Sequence, residues 1–390
     1  MPRRTRPATA DRFATLAIHA GQAPDPTTGA IMTPIYATST YVQEKPGVHK
    51  GYDYSRTNNP TRAALESNLA ALEGARYGLA FSSGCGAADT LLGGLLKTGD
   101  HVVSGSDVYG GTYRLFTRVF RKFGVDFTFV DTSVPGAIEG AWRPATRLLW
   151  LESPSNPLLK ITDLRAACGF ARKHGAVSVV DNTFATPVLQ QPLSLGASVV
   201  LHSTTKYLGG HSDTVGGALL MNDRALWKEL KYFQNAIGAI PGPFDSWLVL
   251  RGTKTVHVRV ERACENARRI AAWLSRRPEV TRIHYPGLRS DAGHAVAKKQ
   301  MKDFGAMISF DMRGTLARSV RFISSTRLFA LAESLGGVES LIEHPASMTH
   351  GSIPREERLK SGLTDGLVRL SVGIEDVRDL VADLEQALKR

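Results

Sequence analysis

Two stretches decide the fold: Val177-Ser178-Val179-Val180-Asp181-Asn182 and, fifteen residues on, Ser198-Val199-Val200-Leu201-His202-Ser203-Thr204-Thr205-Lys206-Tyr207. Each opens with an apolar run too short for a helix and ends in polar residues, which fits a buried strand. Two neighbouring strands would deliver the Asp181 carboxylate and, twenty-five residues later, the Lys206 amine to one edge of one sheet. That pairing suits pyridoxal phosphate (PLP), whose aldehyde takes a lysine as a Schiff base while an acidic side chain keeps the pyridine nitrogen protonated. The hydroxyls of Ser203 and Thr205 flank the lysine, where they can hold phosphate oxygens. By itself Lys206 reads as a surface charge, so the ordered set carries the argument.

Outward from this core the chain alternates. Strand-like runs recur at Tyr77–Phe81, His101–Val103, Val125–Val130, Arg147–Leu151, Val177–Val180, Ser198–His202 and Gly216–Met221, most of them separated by helical-length segments. Such alternation predicts an α/β fold with a mostly parallel, doubly wound sheet of seven strands. Ligands gather at the carboxyl ends of strands in such sheets. Residues 1–58 are rich in Gly, Pro, Thr and Tyr without periodicity and read as an extended N-terminal arm. The cofactor domain is expected over 59–253, starting where Asn59 caps a helix with Pro60 at its first position and ending that helix at Gly74. Residues 254–390 read as a smaller C-terminal α/β domain. It holds a long helix over Lys254–Arg276, strands at Met307–Asp311 and Leu367–Val372, and a terminal helix with Val377, Leu380, Val381, Leu384 and Leu388 on one face.

With 390 residues, 43% hydrophobic and 22% charged, the chain is an ordinary globular composition without an apolar stretch long enough to span a bilayer. Cys85, Cys168 and Cys264 show no C-x-x-C spacing, which argues against a disulfide scaffold or a zinc ribbon and for a reducing compartment. No metal is expected. The N-terminus has no apolar segment after its basic residues, so a cytoplasmic location is expected. The net charge of +12 invites a nucleic-acid reading. Yet Arg3-Arg4-Thr5-Arg6, Arg268-Arg269 and Arg276-Arg277 form no reader motif and lack interleaved aromatics, so neither nucleic acid nor membrane is expected as a partner.

Further candidates follow the strands. Ser82-Ser83-Gly84-Cys85-Gly86 opens a helix whose first amides can cradle a phosphate; taken alone an ordinary strand-to-helix turn explains it better, and beside Lys206 the phosphate reading gains weight. Tyr109 can stack on a flat cofactor ring and keep its hydroxyl near the reacting carbons, or be a plain turn tyrosine. Asn156 can donate to the cofactor's phenolic oxygen, or simply form an Asn-Pro turn. Arg369 inside an apolar strand needs a partner, which is either a substrate carboxylate or a structural salt bridge.

With these residues assembled, the chain resembles the transsulfuration enzymes, the Cys/Met-metabolism family of PLP proteins, from about Ala17 to its end. The resemblance rests on Tyr54-Ser55-Arg56, Asn59-Pro60-Thr61-Arg62, Asp107-Val108-Tyr109-Gly110-Gly111-Thr112, Val180-Asp181-Asn182-Thr183-Phe184 and Ser203-Thr204-Thr205-Lys206-Tyr207 with His211-Ser212-Asp213. Ala332-Glu333-Ser334-Leu335-Gly336-Gly337 and Arg369-Leu370-Ser371-Val372-Gly373 complete it. It implies PLP-dependent fold type I, the aminotransferase-like class, in a homotetramer of two catalytic dimers acting on a small amino-acid substrate. It makes Lys206 the Schiff-base lysine, Asp181 the pyridinium partner and Tyr109 the stacking and catalytic ring. Ser83, Gly84, Cys85, Ser203 and Thr205 surround the phosphate, with Tyr54 and Arg56 reaching the neighbouring subunit's. Asn156, Ser334 and Arg369 hold the substrate. Two departures stand out: Thr57-Asn58-Asn59 replaces a common Gly-containing turn, and Cys85, where relatives carry Met or Leu, reads as a small buried apolar residue.

Glu333 selects among family members. A carboxylate there can receive the distal ammonium of cystathionine, whereas a glutamate at a helix start is the competing explanation. The expectation is a cystathionine γ-lyase. The alternative is cystathionine γ-synthase acting on an acylated homoserine and cysteine. Cystathionine β-lyase, methionine γ-lyase and a non-enzymatic binding protein fit less well.

Overall fold

A computed structural model describes residues 11–351 and 353–390; the basic Arg3-Arg4-Thr5-Arg6 segment lies outside them. The protein is α/β, with one seven-stranded and one five-stranded sheet. Its residues cluster into two compact units, each assembled from two chain segments.

The first unit comprises residues 11–95 together with Ser198–His257. It contributes β1 (Tyr77–Phe81), β6 (Val199–Ser203) and β7 (Gly217–Met221) to the larger sheet. β7 lies between the other two and is antiparallel to both. Ala218, Leu219, Leu220 and Met221 are wholly buried, as a strand covered on both faces requires. The helix Pro60–Glu73 begins as its sequence predicts: Asn59 Oδ1 accepts the Thr61 and Arg62 amides at 2.9 and 3.3 Å, and Gly74 closes the helix at φ 66°. Leu65, Leu69 and Leu72 form its buried stripe. Among its described residues, the segment expected to be an arm contains one short helix, Phe13–His19.

The second unit comprises Leu96–Ala197 and Val258–Arg390. It holds β2 (His101–Gly105), β3 (Asp126–Val130), β4 (Thr146–Glu152) and β5 (Val177–Asp181), all parallel, in the order β5-β4-β2-β3. The connection from β4 to β5 includes the helix Leu164–Lys173, capped by Asp163. This helix packs Leu164, Ala167, Cys168 and Ala171 against Leu149, Leu151 and Val180. The five-stranded sheet is built from β8 (Val280–His284), β9 (Met307–Met312), β10 (Ala330–Leu331), β11 (Leu341–Glu343) and β12 (Leu367–Ser371), ordered β10-β11-β12-β9-β8. The terminal helix, Val377–Leu388, buries Leu380, Leu384 and Ala387 with one surprise, Asp383. Its carboxylate accepts the amides of Arg327, Leu328 and Phe329 at 2.8, 2.8 and 3.0 Å. No helix among the described residues is long and apolar enough to cross a membrane.

Candidate active site

In the first unit Lys206 follows β6 in a tight turn: its amide donates to Ser203 O at 3.3 Å and its carbonyl accepts from Gly210 at 2.7 Å. The Thr205 hydroxyl both donates to Gly216 O (3.2 Å) and accepts the Gly216 amide (3.0 Å), so it braces the turn as well. Ser83 caps the helix Gly84–Leu95 by accepting the Gly86 amide at 2.9 Å. A Cβ on Gly84 would sit 3.1 Å from Ser203 Cβ, so the helix start and the end of β6 share one small-residue corner. Cys85 corrects an expectation. It is exposed, because its helix turns that position outward at the first turn instead of into the core. Tyr54 is 45% exposed, with the Arg56 guanidinium over its ring at 5.6 Å. Arg62, buried and unremarked as a site in the sequence, clamps the backbone of this pair, donating to Ser55 O (2.7 Å) and Arg56 O (3.1 Å).

In the second unit Asp181 ends β5 and is buried, with Oδ1 accepting from the Thr183 amide (3.1 Å) and hydroxyl (2.6 Å). Register places Glu152, at the end of β4, beside it. Burial, and then the Asp181 charge, push the Glu152 carboxyl well above the usual range. Glu152 also accepts the Tyr109 amide at 3.0 Å, which anchors that residue's backbone. The Tyr109 ring folds over Gly111, where a Cβ would meet Cε1 at 2.4 Å, so a side chain at that position would displace the ring.

Arg369, in the middle of β12, is 2% exposed. Its Nη1 donates to Asn156 Oδ1 at 2.8 Å and its Nη2 to Ser334 O at 3.0 Å. Antiparallel register sets Glu343 of β11 directly opposite, and the two form an ion pair at 3.0 Å. The structural salt bridge weighed for Arg369 is therefore present, while Nε stays buried without a hydrogen-bond partner. The structure thus gathers Asn156, Ser334 and Arg369. Ser334 adopts φ 102°, in the left-handed region, and presents its carbonyl to the arginine. Glu333, just before it, is exposed and lies outside any helix, which removes the helix-start explanation for that residue.

Glu152, Glu343, Thr349, whose hydroxyl donates to Glu343 Oε1 at 2.9 Å, and His350, whose Nε2 lies 3.2 Å from Asn156 O, escaped the sequence reading. Glu152 ends an apolar run much as Asp181 does, which was a usable signal. Leu341–Glu343 is too short to read as a strand, and nothing local marks Thr349 or His350. Among the described residues no group of three or more His, Cys, Asp or Glu side chains could hold a metal.

A family model for Cys/Met metabolism PLP-dependent enzymes matches residues 14–389. A cystathionine β-lyase of Coxiella burnetii is 56% identical over 96% of this chain and 97% of its own. A cystathionine γ-lyase of Bacillus subtilis is 54% identical over 96% and 98%. A crystal structure of cystathionine γ-synthase from Xanthomonas oryzae, in complex with aminoacrylate and cysteine, superposes with a TM-score of 0.95 at 45% identity, covering 97% of this chain and 98% of that one.

The residues fit the cofactor these names imply. The corner of Gly84 and Ser203 at a helix N-terminus is shaped for a phosphate ester. Asp181, at a strand end, is an acidic partner of the kind a ring nitrogen needs. With fold, residues and relatives in agreement, the chain belongs to the Cys/Met metabolism PLP-dependent enzymes, and PLP is its cofactor.

Proposed function

We propose that this protein is a cystathionine γ-lyase, converting L-cystathionine and water into cysteine, 2-oxobutyrate and ammonia. The observation that carries the reading is the pairing of Glu333 with Ser334: an exposed carboxylate adjoins the residue whose carbonyl is held by buried Arg369. One short segment thereby joins a partner for a distal ammonium to the anchor for an α-carboxylate. PLP, when bound, supplies the electron sink that acidifies the substrate's α-hydrogen. Lys206 Nζ would accept the Cα proton, hand it on so that the amine is neutral again, and then accept a Cβ proton, so that the γ-sulfur departs as the thiolate of cysteine. Tyr109 stacks on the cofactor ring and keeps its hydroxyl beside the reacting carbons. Asp181 holds the ring nitrogen; Ser83, Gly84, Cys85, Ser203 and Thr205 hold the phosphate; Asn156 and Arg369 hold the α-carboxylate.

The proposal extends to assembly. The exposed apolar side chains Ile31 (81%) and Val42 (96%) on the polar N-terminal segment, with half-exposed Tyr54, suit a homotetramer in which Tyr54 and Arg56 serve a neighbouring copy's phosphate. Residues 59–253 would then act as the cofactor domain and 254–390 as the C-terminal domain. Three cysteines outside any disulfide accord with a cytoplasmic location.

The test is product identification after incubating PLP-loaded protein with L-cystathionine alone. Cysteine with 2-oxobutyrate is expected, and Lys206→Ala should abolish turnover. Pyruvate with homocysteine would mean β-lyase chemistry and overturn the role given to Glu333. Absence of turnover would leave γ-synthase, which needs an activated homoserine and cysteine.

A further inference from the structure

Around Arg369 the buried polar groups close into a ring. Thr349 Oγ1 lies 2.9 Å from both Glu343 Oε1 and His350 Nδ1. His350 Nε2 faces Asn156 O at 3.2 Å, and Asn156 Oδ1 returns to Arg369. Glu343, His350, Asn156 and Arg369 are each at least 97% buried. Besides Arg369, a second cation, Arg114, acts on His350. Burial, and then Arg369, push the His350 imidazole down to about 3, so at neutral pH it is uncharged. Glu152, also near this cation, is driven toward its protonated form by burial. Glu343 is the carboxylate paired with Arg369, held to it by strand register and a 3.0 Å ion pair.

A buried N–H without a partner is costly, so a guanidinium that carries one gains when a bound oxygen meets it. Arg369 Nε is such a group. A guanidinium with one side neutralised by a fixed carboxylate and a donor left over is set to take a further single negative charge. We infer that Glu343 is a positioning and specificity residue, a built-in counter-ion that offsets Arg369 in the empty site and thereby restricts it to a single carboxylate of moderate affinity. This deepens the proposed function and rests on its assignment of Arg369 as the carboxylate anchor.

The test is calorimetric titration of the PLP-loaded protein at neutral pH with two unreactive probes, butanoate and succinate. Removing the competing charge in Glu343→Gln is expected to tighten butanoate about tenfold and succinate by more, since the dianion gains twice from the uncovered cation. Unchanged or weakened butanoate binding in E343Q overturns the inference. Arg369→Gln separates the two layers. If butanoate ignores that change, the anchor assignment falls and the inference with it; if R369Q abolishes binding while E343Q does not tighten it, the inference alone falls. Should E343Q not fold, Glu343→Met, uncharged and of similar volume, carries the same expectation. The unmodified protein must also bind butanoate about tenfold more tightly than succinate, and equal binding of the two counts against the counter-ion.

Discussion

Gly217 opens β7 opposite Phe81 on one side and Ser203 on the other. A Cβ there would lie 2.2 Å from Ser83 O, 2.5 Å from Ser83 C and 2.8 Å from Gly84 N, all backbone atoms. Relief to ordinary contact requires the Ser83–Gly84 segment to move by roughly 1 Å, because no rotamer change can release it. Overpacking of this kind costs about 1–3 kcal/mol, so Gly217→Ala should lower the melting temperature clearly. The displaced segment is also the start of the helix assigned to the cofactor phosphate. Loss of one charge-assisted hydrogen bond there, about 1.5–3 kcal/mol, should weaken PLP about 10- to 100-fold. Thermal melting and a PLP titration followed by visible absorption measure both effects. Two neighbours calibrate them. Gly86→Ala meets only the flexible Ser83 Oγ at 3.3 Å and Ser82 Oγ at 3.4 Å at closest range and should be mild. Gly93→Ala enters open space inside a helix and should stabilise by about 0.5–1 kcal/mol. A G217A protein with unchanged melting and PLP affinity within about twofold would refute the packing argument and the placement of the phosphate together.

Other expectations follow from buried polar groups. His350 titrates near 6.5 when unfolded but at about 3 when folded, so the unfolded chain binds the extra proton throughout that window. Stability should therefore fall as pH drops below 6.5, by about 2 kcal/mol at pH 5, with no effect at higher pH. His350→Gln should flatten that acid dependence, and melting curves that stay parallel to the unmodified protein's from pH 7 to 5 would refute the assignment. Asp383→Ala strips the acceptor from the Arg327, Leu328 and Phe329 amides and should cost about 2–4 kcal/mol in chemical denaturation. Asp383→Asn should recover part of this, since one carbonyl oxygen persists; equal stability of both variants and the parent would show the amides to be solvated instead.

Much of the fold was legible because the relevant signals are local. Asn59, Pro60 and Gly74 bound a helix through their own backbone preferences, and apolar runs of strand length became β1 to β7 within a residue or two. Asp181 and Lys206 could be placed after β5 and β6 because polar residues interrupt each run where the strand ends. Other features depend on partners far along the chain. Cys85 reads as apolar by composition, yet its side chain is exposed. Asp383 breaks an apolar stripe only because three amides from residues 327–329 converge on it.

Arg369 shows where the division falls. Its sequence demanded a partner, since an unpaired guanidinium in an apolar strand is too costly to bury. The chain alone thus determined the class of chemistry: a lysine and an aspartate at strand ends, a phosphate corner and a buried cation. Which carboxylate meets that cation was decided by the antiparallel register of β11 with β12, across twenty-six residues of sequence. Register is a collective property of two strands and their packing, so a shift of one residue would have turned Glu343 to the opposite face and left Arg369 without its ion pair.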